Sequence, residues 1–349
     1  MSAQSTLTML VALLFCSGAC RGSERATPPA TATAKSTLTQ HQDQARIFTG
    51  MCDASAAVAL SATSAIVADD EENVLRVYDV DRGGSATSSV ELARTLSLPG
   101  KPRKDGSISS RELDIEAAAR LGGDAYFITS HGRDSKGRVR AERLKFFALR
   151  PEQSGAWGLY GKAYEGLLED LLGEPRLARF ELSAAAELPP KAPGGLNIEG
   201  MAPRVEGGVW LGFRNPLPQG RALLVPLLNP QAMVLGAKTE FGDPLLLDLG
   251  GRGVRALGYW RGRYLIVAGA FDGSSAAALF SWDGAGAVRA LPAPTINEYN
   301  PEALLANDER DEILLLSDDG SQLIDGVECK KLKDPLRRRF RGLRLKLDD

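Results

Sequence analysis

From about residue 46 onward the chain alternates short apolar runs with clusters of Gly, Asp, Asn and Pro. This is the pattern of many short strands joined by tight turns, and it reads as all-β. The runs recur on a fixed ruler. Asp114-Ile115-Glu116-Ala117, Asn197-Ile198-Glu199-Gly200 and Asn300-Pro301-Glu302-Ala303 share the pattern Asp/Asn-x-Glu-Ala/Gly. Twelve residues after each first position, within one residue, an apolar strand begins at Tyr126, Val209 and Ile313. The same interval from Arg252 reaches Tyr264, and from Cys52 it reaches Ser64. Five units therefore begin near 52, 114, 197, 252 and 300.

Each unit continues with a polar loop and another strand, such as Val74–Tyr78, Leu144–Leu149, Ala222–Leu228 or Ala276–Trp282. Several add a further strand, as in Glu91–Leu98 and Ala287–Leu291. Four antiparallel strands per unit of roughly 50 to 60 residues is the repeat of a β-propeller blade. A ring of blades hides sheet faces against neighbours and leaves only short outer edges. The expectation is one propeller domain over 46–349 with five blades, six being the alternative. Residues 160–187 break the rhythm, because Leu167, Leu168, Leu171 and Leu172 have helical spacing; they predict a helical insertion, not a blade. The basic stretch Lys330–Lys346 ends with Leu343, Leu345 and Leu347 alternating with Arg344 and Lys346, as in an outer strand with one solvated face.

The start of the chain reads differently. Leu7–Cys16 is an apolar run of ten, too short to span a bilayer and the right length for a signal-peptide core. Ser17-Gly18-Ala19-Cys20 follows. It resembles the bacterial lipoprotein signal, in which the chain is cut before a cysteine that is then acylated, although no Lys or Arg precedes the run and Ser17 replaces the usual Leu or Val. Residues 1–19 are thus expected to be a signal peptide, Cys20 a lipidation site, and the Ser-, Thr-, Ala- and Pro-rich stretch 20–45 a disordered tether. The mature protein would be periplasmic or anchored to the outer membrane, meeting the membrane through its lipid only. Cys52 and Cys329 remain, and in an oxidising compartment they form either a disulfide or two separate buried thiols. A bridge would require both ends of the folded chain to be neighbours.

Composition removes several function classes. Lys and Arg total 42 against 44 Asp and Glu, a formal charge of −2, which argues against nucleic-acid partners. Two histidines, His41 and His131, exclude a His-rich zinc site. The chain has no Gly-x-Ser-x-Gly elbow, His-Glu-x-x-His or Walker loop. Gly251–Ala256 fits a dinucleotide fingerprint in letters, but a strand pair, Tyr259–Ala270, follows where that fold needs a helix.

The ruler also says where chemistry would lie. A hairpin brings the end of its returning strand beside its own beginning. Residues about seventeen after each anchor, namely Asp69, Asp70, His131, Arg133, Arg214, Asn215, Gly269, Asp318 and Asp319, should share one propeller face with the anchors. Those anchors are Asp53, Asp114, Glu116, Asn197, Glu199, Arg252, Arg255, Asn300 and Glu302. Together they describe a polar central funnel. Asp114, Glu116, Glu199 and Glu302 either hold a metal, with Ca²⁺ suiting their oxygen donors, or brace neighbouring blades. Arg133, Arg214, Arg252 and Arg255 either clamp an anion or pair with those same carboxylates, while Asp69, Asp70, Asn215, Asp318 and Asp319 would complete a ligand site. His131 and Glu116 are the candidates for acid–base work.

CDASAAV with VADDEENVLRVYD, DIEAAARLGGDAYFITSHGR, NIEGMA with LGFRNPL and ALLVPLLNP, DLGGRGVRAL and NPEAL occur in order between about 48 and 345. In them the chain resembles the bacterial domain of unknown function 3616 family, which implies a propeller-like fold and export but no established activity. The Asp/Asn-x-Glu turns are more loosely similar to those of phytase-type propellers with esterase-like or phosphatase-like relatives. The reading is a monomeric, exported propeller that binds a small or anionic ligand or a partner in its funnel. The alternatives are a Ca²⁺-assisted ester or phosphoester hydrolase, and an interaction scaffold that docks a protein on its helical insertion.

Overall fold

The computed structural model describes residues 45–347 apart from 103, 105 and 107, so the signal, the tether and Cys20 lie outside the described residues. Five antiparallel sheets follow one another in chain order. From the axis outward, blade I is built of Ala56–Ala59, Ser64–Ala68, Val74–Asp79 and Ser88–Glu91. Blade II is Ile115–Leu121, Asp124–Thr129, Phe146–Pro151 and Trp157–Tyr164. Blade III is Asn197–Pro203, Val209–Asn215, Ala222–Leu227 and Leu245–Leu247, and blade IV is Gly253–Trp260, Arg263–Gly269, Ala278–Trp282 and Arg289–Leu291. Blade V combines both ends of the domain. Pro301–Leu305, Glu312–Ser317 and Arg339–Lys346 are followed by Arg46–Thr49, which pairs antiparallel with the last of these. The ring is a five-bladed propeller closed by its first strand.

The second strand of each blade is apolar throughout because both its faces are covered. In blade II, Ala125 and Phe127 face blade I among Ile66, Leu75 and Phe147, whereas Tyr126 and Ile128 face blade III among Leu211 and Phe213. Trp210, Ile266 and Trp282 fill the III–IV interface; Trp260, Leu265, Leu315 and Leu345 fill the next one. At the seam between V and I, Phe48 stacks on Phe340 at 4.9 Å and meets Tyr78 edge-on at 5.4 Å. The innermost strands crowd at the axis and so carry Gly and Ala. A Cβ on Gly200 would stand 2.5 Å from Val254 Cγ1, and one on Gly258 2.5 Å from Leu304 Cδ2.

Three expectations need correction. Arg339–Lys346 is the third strand of blade V, not an outer one, and Arg46–Thr49 covers its other edge; Phe340, Leu343 and Leu345 are buried on both sides. Glu91–Leu98 is not a strand, since the strand ends at Glu91 and Leu92–Thr95 is a helical turn. The insertion starts at Leu167, because Trp157–Tyr164 is the outer strand of blade II. Its helical turns, Leu167–Gly173, Pro175–Phe180 and Leu182–Ala185, bury Leu167, Leu171, Leu177 and Phe180 against blades II and III. No described helix is long and apolar enough to cross a membrane.

Candidate ligand site in the axial funnel

Strand register explains how the motif residues reach the axis. In blade II, Ile128 pairs with Ala117 and Thr129 with Ile115, leaving Glu116 as the extra residue of a β-bulge. The same irregularity skips Glu199 in blade III, Arg255 in blade IV and Glu302 in blade V. A bulge leaves one residue out of the ladder and re-aims its side chain. Arg255 therefore occupies in blade IV the position held by glutamate in its neighbours, and the equivalent anchor there is Gly253, one residue after Arg252. Blade I follows suit. Ser55 and Ala56 both oppose Ala68, and the Ser55 hydroxyl donates to the Ile115 carbonyl at 2.6 Å.

The seventeen-residue offset is a register fact as well. Asn197 lies opposite Asn215, Gly253 opposite Gly269 and Pro301 opposite Ser317, whereas Asp53 meets Asp318 across the seam of the ring. Asp114 and Asn300 take left-handed backbone, φ 60° and 41°, which Asp and Asn tolerate better than most residues.

The side chains that meet are mostly acidic. Arg214 pairs with Glu199 at 2.7 Å, both buried, and Asn197 donates to the same carboxylate at 2.6 Å. Arg255 pairs with Glu302 and donates to Asn300 Oδ1 at 2.9 Å. Arg143 pairs with Asp114 at 2.9 Å. No salt bridge among the described residues reaches Asp53, Asp69, Asp70, Glu116 or Asp318. Burial and like charge push these up. Asp53 is driven well above the carboxylate range by burial and by Asp70, Asp318 and Glu302; Asp70 by burial, Asp69, Asp114 and Glu302; and Glu116 by burial, Glu199 and Asp114. Burial and Glu72 raise Asp69 to about 7, and burial and Glu302 raise Asp318 to about 6. Glu199 stays raised by burial despite Arg214. At Glu302, Arg255 and Arg214 outweigh burial and hold the group low. The Oδ1 atoms of Asp53 and Asp70 are buried with no hydrogen-bond partner.

A cavity of about 790 Å³ opens beside this cluster. Asp53, Asp69, Asp70 and Asp318 border it, joined by Glu72, Glu112, Lys191, Lys330 and Arg338. One oxygen each of Asp53, Glu302 and Asp318 lie within 4.8 Å of one another, close enough to share one cation.

The family model described as "Protein of unknown function (DUF3616)" matches residues 150–312, a shorter span than the motifs suggested. The chain resembles that family. No curated protein matches it. Among solved structures, a Myxococcus xanthus glutaminyl cyclase is 10% identical with a TM-score of 0.43, covering 88% of this chain and 97% of its own. A putative oxidoreductase (glucose dehydrogenase) from Thermus thermophilus is 13% identical at 0.42 (86% and 99%), and a Bacillus subtilis arabinanase is 11% identical at 0.40 (87% and 95%). None of these likenesses bears on what the present chain does.

Several expected site residues are taken up elsewhere. Arg133 donates to the Ala186 and Gly137 carbonyls and pairs with Glu187, so it fastens the insertion. Arg252 donates to the Leu249 and Gly250 carbonyls, Asn215 to those of Pro190 and Ala192, and Asp319 accepts from Arg341 at 2.7 and 2.8 Å. Arg133, Arg214 and Arg255 are thus paired with carboxylates, whereas Arg252 has no carboxylate partner among the described residues. His131 is buried and does not border the cavity. Its Nδ1 is bonded to the Thr129 carbonyl oxygen, and burial lowers it to about 4.

Residues that sequence reasoning missed border the cavity instead. Arg338 pairs with Glu72, and Lys330 with Glu71 at 3.4 Å. The acidic run 69–72 and the basic tail from 330 were a visible charge match, but nothing in their spacing shows that ring closure joins them. Lys191, in a Pro/Gly-rich loop, had no signal.

Proposed function

We propose that this is an exported binding propeller whose axial funnel takes a small ligand carrying positive charge. The observation supporting it is the carboxylate excess. Asp53, Asp69, Asp70, Glu116 and Asp318 converge without salt-bridge partners, and two of their buried oxygens accept no hydrogen bond. Ionised carboxylates are costly to bury unless paired, so the cluster favours an added cation. Export is supported by the Cys52–Cys329 disulfide, with Cα atoms 5.8 Å apart, since such bridges persist in oxidising compartments. In this reading Cys20 carries the lipid, the protein works as a monomer in the periplasm or on the outer membrane, and nucleic acid is no partner.

The test is thermal melting of the purified chain with choline, spermidine and lysine in one arm and phosphate and citrate in the other. Cations should raise the melting temperature and anions should not; the reverse overturns the reading. Labelled palmitate should enter the wild-type protein in an expressing bacterium and not Cys20→Ser. Unlabelled, soluble wild-type protein would overturn the anchor.

Hydrolysis in the same funnel is the second reading, favoured by the open cavity beside Asp69. A carboxylate raised to about 7 can move a proton at neutral pH. Turnover of generic ester or phosphoester substrates, lost in Asp69→Asn, would decide for it.

A further inference from the structure

We propose that Asp53, Glu302 and Asp318 form a divalent-cation site at the mouth of the axial funnel, with Ca²⁺ the ion that fits. The proposal rests on the reading that the funnel takes positive charge, and it names the ion and its ligands. Three observations carry it.

The first is placement. Asp53 enters blade I and Asp318 leaves the second strand of blade V, and the two are held opposite each other by a backbone bridge across the seam of the ring. Glu302 is aimed at them by its bulge in the innermost strand of blade V. Two neighbouring segments of blade V and one from the start of the domain thus converge, and they are held there independently of any ligand. The Asp318 amide donates to the Asn300 carbonyl at 3.1 Å, the Asp319 amide to the Cys52 carbonyl at 2.9 Å, and the disulfide at Cys52 fastens the residue next to Asp53.

The second is an unmet acceptor. Asp53 is only 8% exposed, and its Oδ1 is buried without a donor beside the other two carboxylates. In a folded protein such an oxygen normally has a partner, so its orphan state here points to something that supplies positive charge.

The third is chemistry and size. All the donors are carboxylate oxygens, which suit a hard cation and not zinc or copper. Oxygens on opposite sides of a Ca²⁺ ion at about 2.3–2.6 Å are roughly 4.6–5.2 Å apart, whereas Mg²⁺ at about 2.0–2.1 Å needs roughly 4.0–4.2 Å. Carboxylate oxygens all within 4.8 Å of one another can share either ion, and room for further ligands makes Ca²⁺ the better fit. Ca²⁺ also takes six to eight ligands, and the adjoining 790 Å³ cavity leaves room for water or a ligand oxygen to complete the set. Glu116 and Glu199, expected in the same centre, are not in this group of three. Glu199 is committed to Arg214 and Asn197, whereas Glu302, although Arg255 holds its Oε1, still brings a carboxylate oxygen to the group.

The experiment is isothermal titration of the full chain, stripped with chelator, using Ca²⁺ and then Mg²⁺, alongside melting curves and metal analysis after dialysis. Wild type should take up one Ca²⁺ per chain, melt higher with it and bind Mg²⁺ more weakly. Asp53→Asn and, independently, Asp318→Asn should each weaken Ca²⁺ binding by roughly 100-fold, the upper end of what loss of even a supporting partner does to a metal site. Glu206→Gln, far from the funnel, should bind as wild type. Should one Asn variant fail to fold, the other and the wild-type stoichiometry still decide. Uptake that survives both Asn substitutions overturns the proposed site. No divalent uptake by wild type, with choline or spermidine still raising the melting temperature, overturns the metal proposal and leaves the cationic-ligand reading standing. A response to neither overturns both.

Discussion

Breaking the Cys52–Cys329 bridge should destabilise the propeller by about 3–5 kcal/mol. The two cysteines are 277 residues apart, so the crosslink ties nearly the whole folded domain into one loop. The loop-closure relation, about −2.1 − 1.5R ln n cal/mol/K, gives roughly 5.6 kcal/mol at 25 °C for a loop of that length. The unfolded chain of a protein this size keeps some compactness, which trims the entropic gain and brings the expected loss into the lower range. At about 2.1 cal/mol/K per residue, a folded domain of about 300 residues shifts its melting temperature by roughly 1.6 °C for each kcal/mol, so a fall of about 5–8 °C is expected. Urea unfolding followed by tryptophan fluorescence would be run on oxidised protein, on protein reduced in place, and on Cys52→Ala/Cys329→Ala. Reduction isolates the crosslink. The double substitution adds the loss of contacts with Ile324 and Leu332, among which both cysteines are buried. Arg46–Thr49 still pairs with Arg339–Gly342 after reduction, so the native ring should persist while the unfolded state expands and the m-value rises. Reduced protein that melts within about 2 °C of oxidised protein, with an unchanged m-value, would refute the argument from chain entropy.

The carboxylate cluster makes a pH prediction. Asp69 at about 7 and Asp318 at about 6 lie above their ordinary 3.8, so the folded state keeps protons that the unfolded chain releases, and cation-free stability should fall as pH rises from about 4 to 7. His131, lowered to about 4, acts in the opposite sense up to about 6.5 and offsets one of the two carboxylates, so the net decline should be steepest near pH 5 and flatten toward neutrality; urea midpoints in chelator that climb steadily with pH would contradict this. Gly253→Ala should cost about 1–3 kcal/mol, because its Cβ would run into the Arg214 backbone carbonyl where blades III and IV touch; wild-type melting would show that contact to be slack. Arg214→Ala should cost about 3–5 kcal/mol by leaving Glu199 buried without its partner, and Arg214→Met/Glu199→Leu should recover most of it in the same unfolding assay.

Much of the architecture was legible because a propeller repeats itself. The Asp/Asn-x-Glu turns and the twelve-residue interval reflect one hairpin used in successive blades, so Tyr126, Val209 and Ile313 marked second strands that are buried on both faces. The shared face of the anchors and the residues seventeen further on followed from hairpin geometry alone. Where the repeat lapses, local reading failed. Leu343 and Leu345 alternate with charges as an outer strand would, yet Arg344 and Lys346 are occupied by Glu312, Asp81 and Asp311, and the strand lies inside the sheet. Glu91–Leu98 carried strand-like residues but turned helical where the chain leaves blade I.

The site divides in the same way. Sequence determined which residues could gather at the axis, because strand period and hairpin return depend on neighbours along the chain. It did not determine which carboxylates would find a guanidinium. Arg214 reaches Glu199 within blade III, where the register skips both, and Arg255 of blade IV reaches Glu302 of blade V, leaving Asp53 and Asp318 without a guanidinium. Asp53 and Asp318 are 265 residues apart in number, and only closure of the ring sets them side by side. Charge pairing depends on distances in space, and those are decided by how the last blade meets the first.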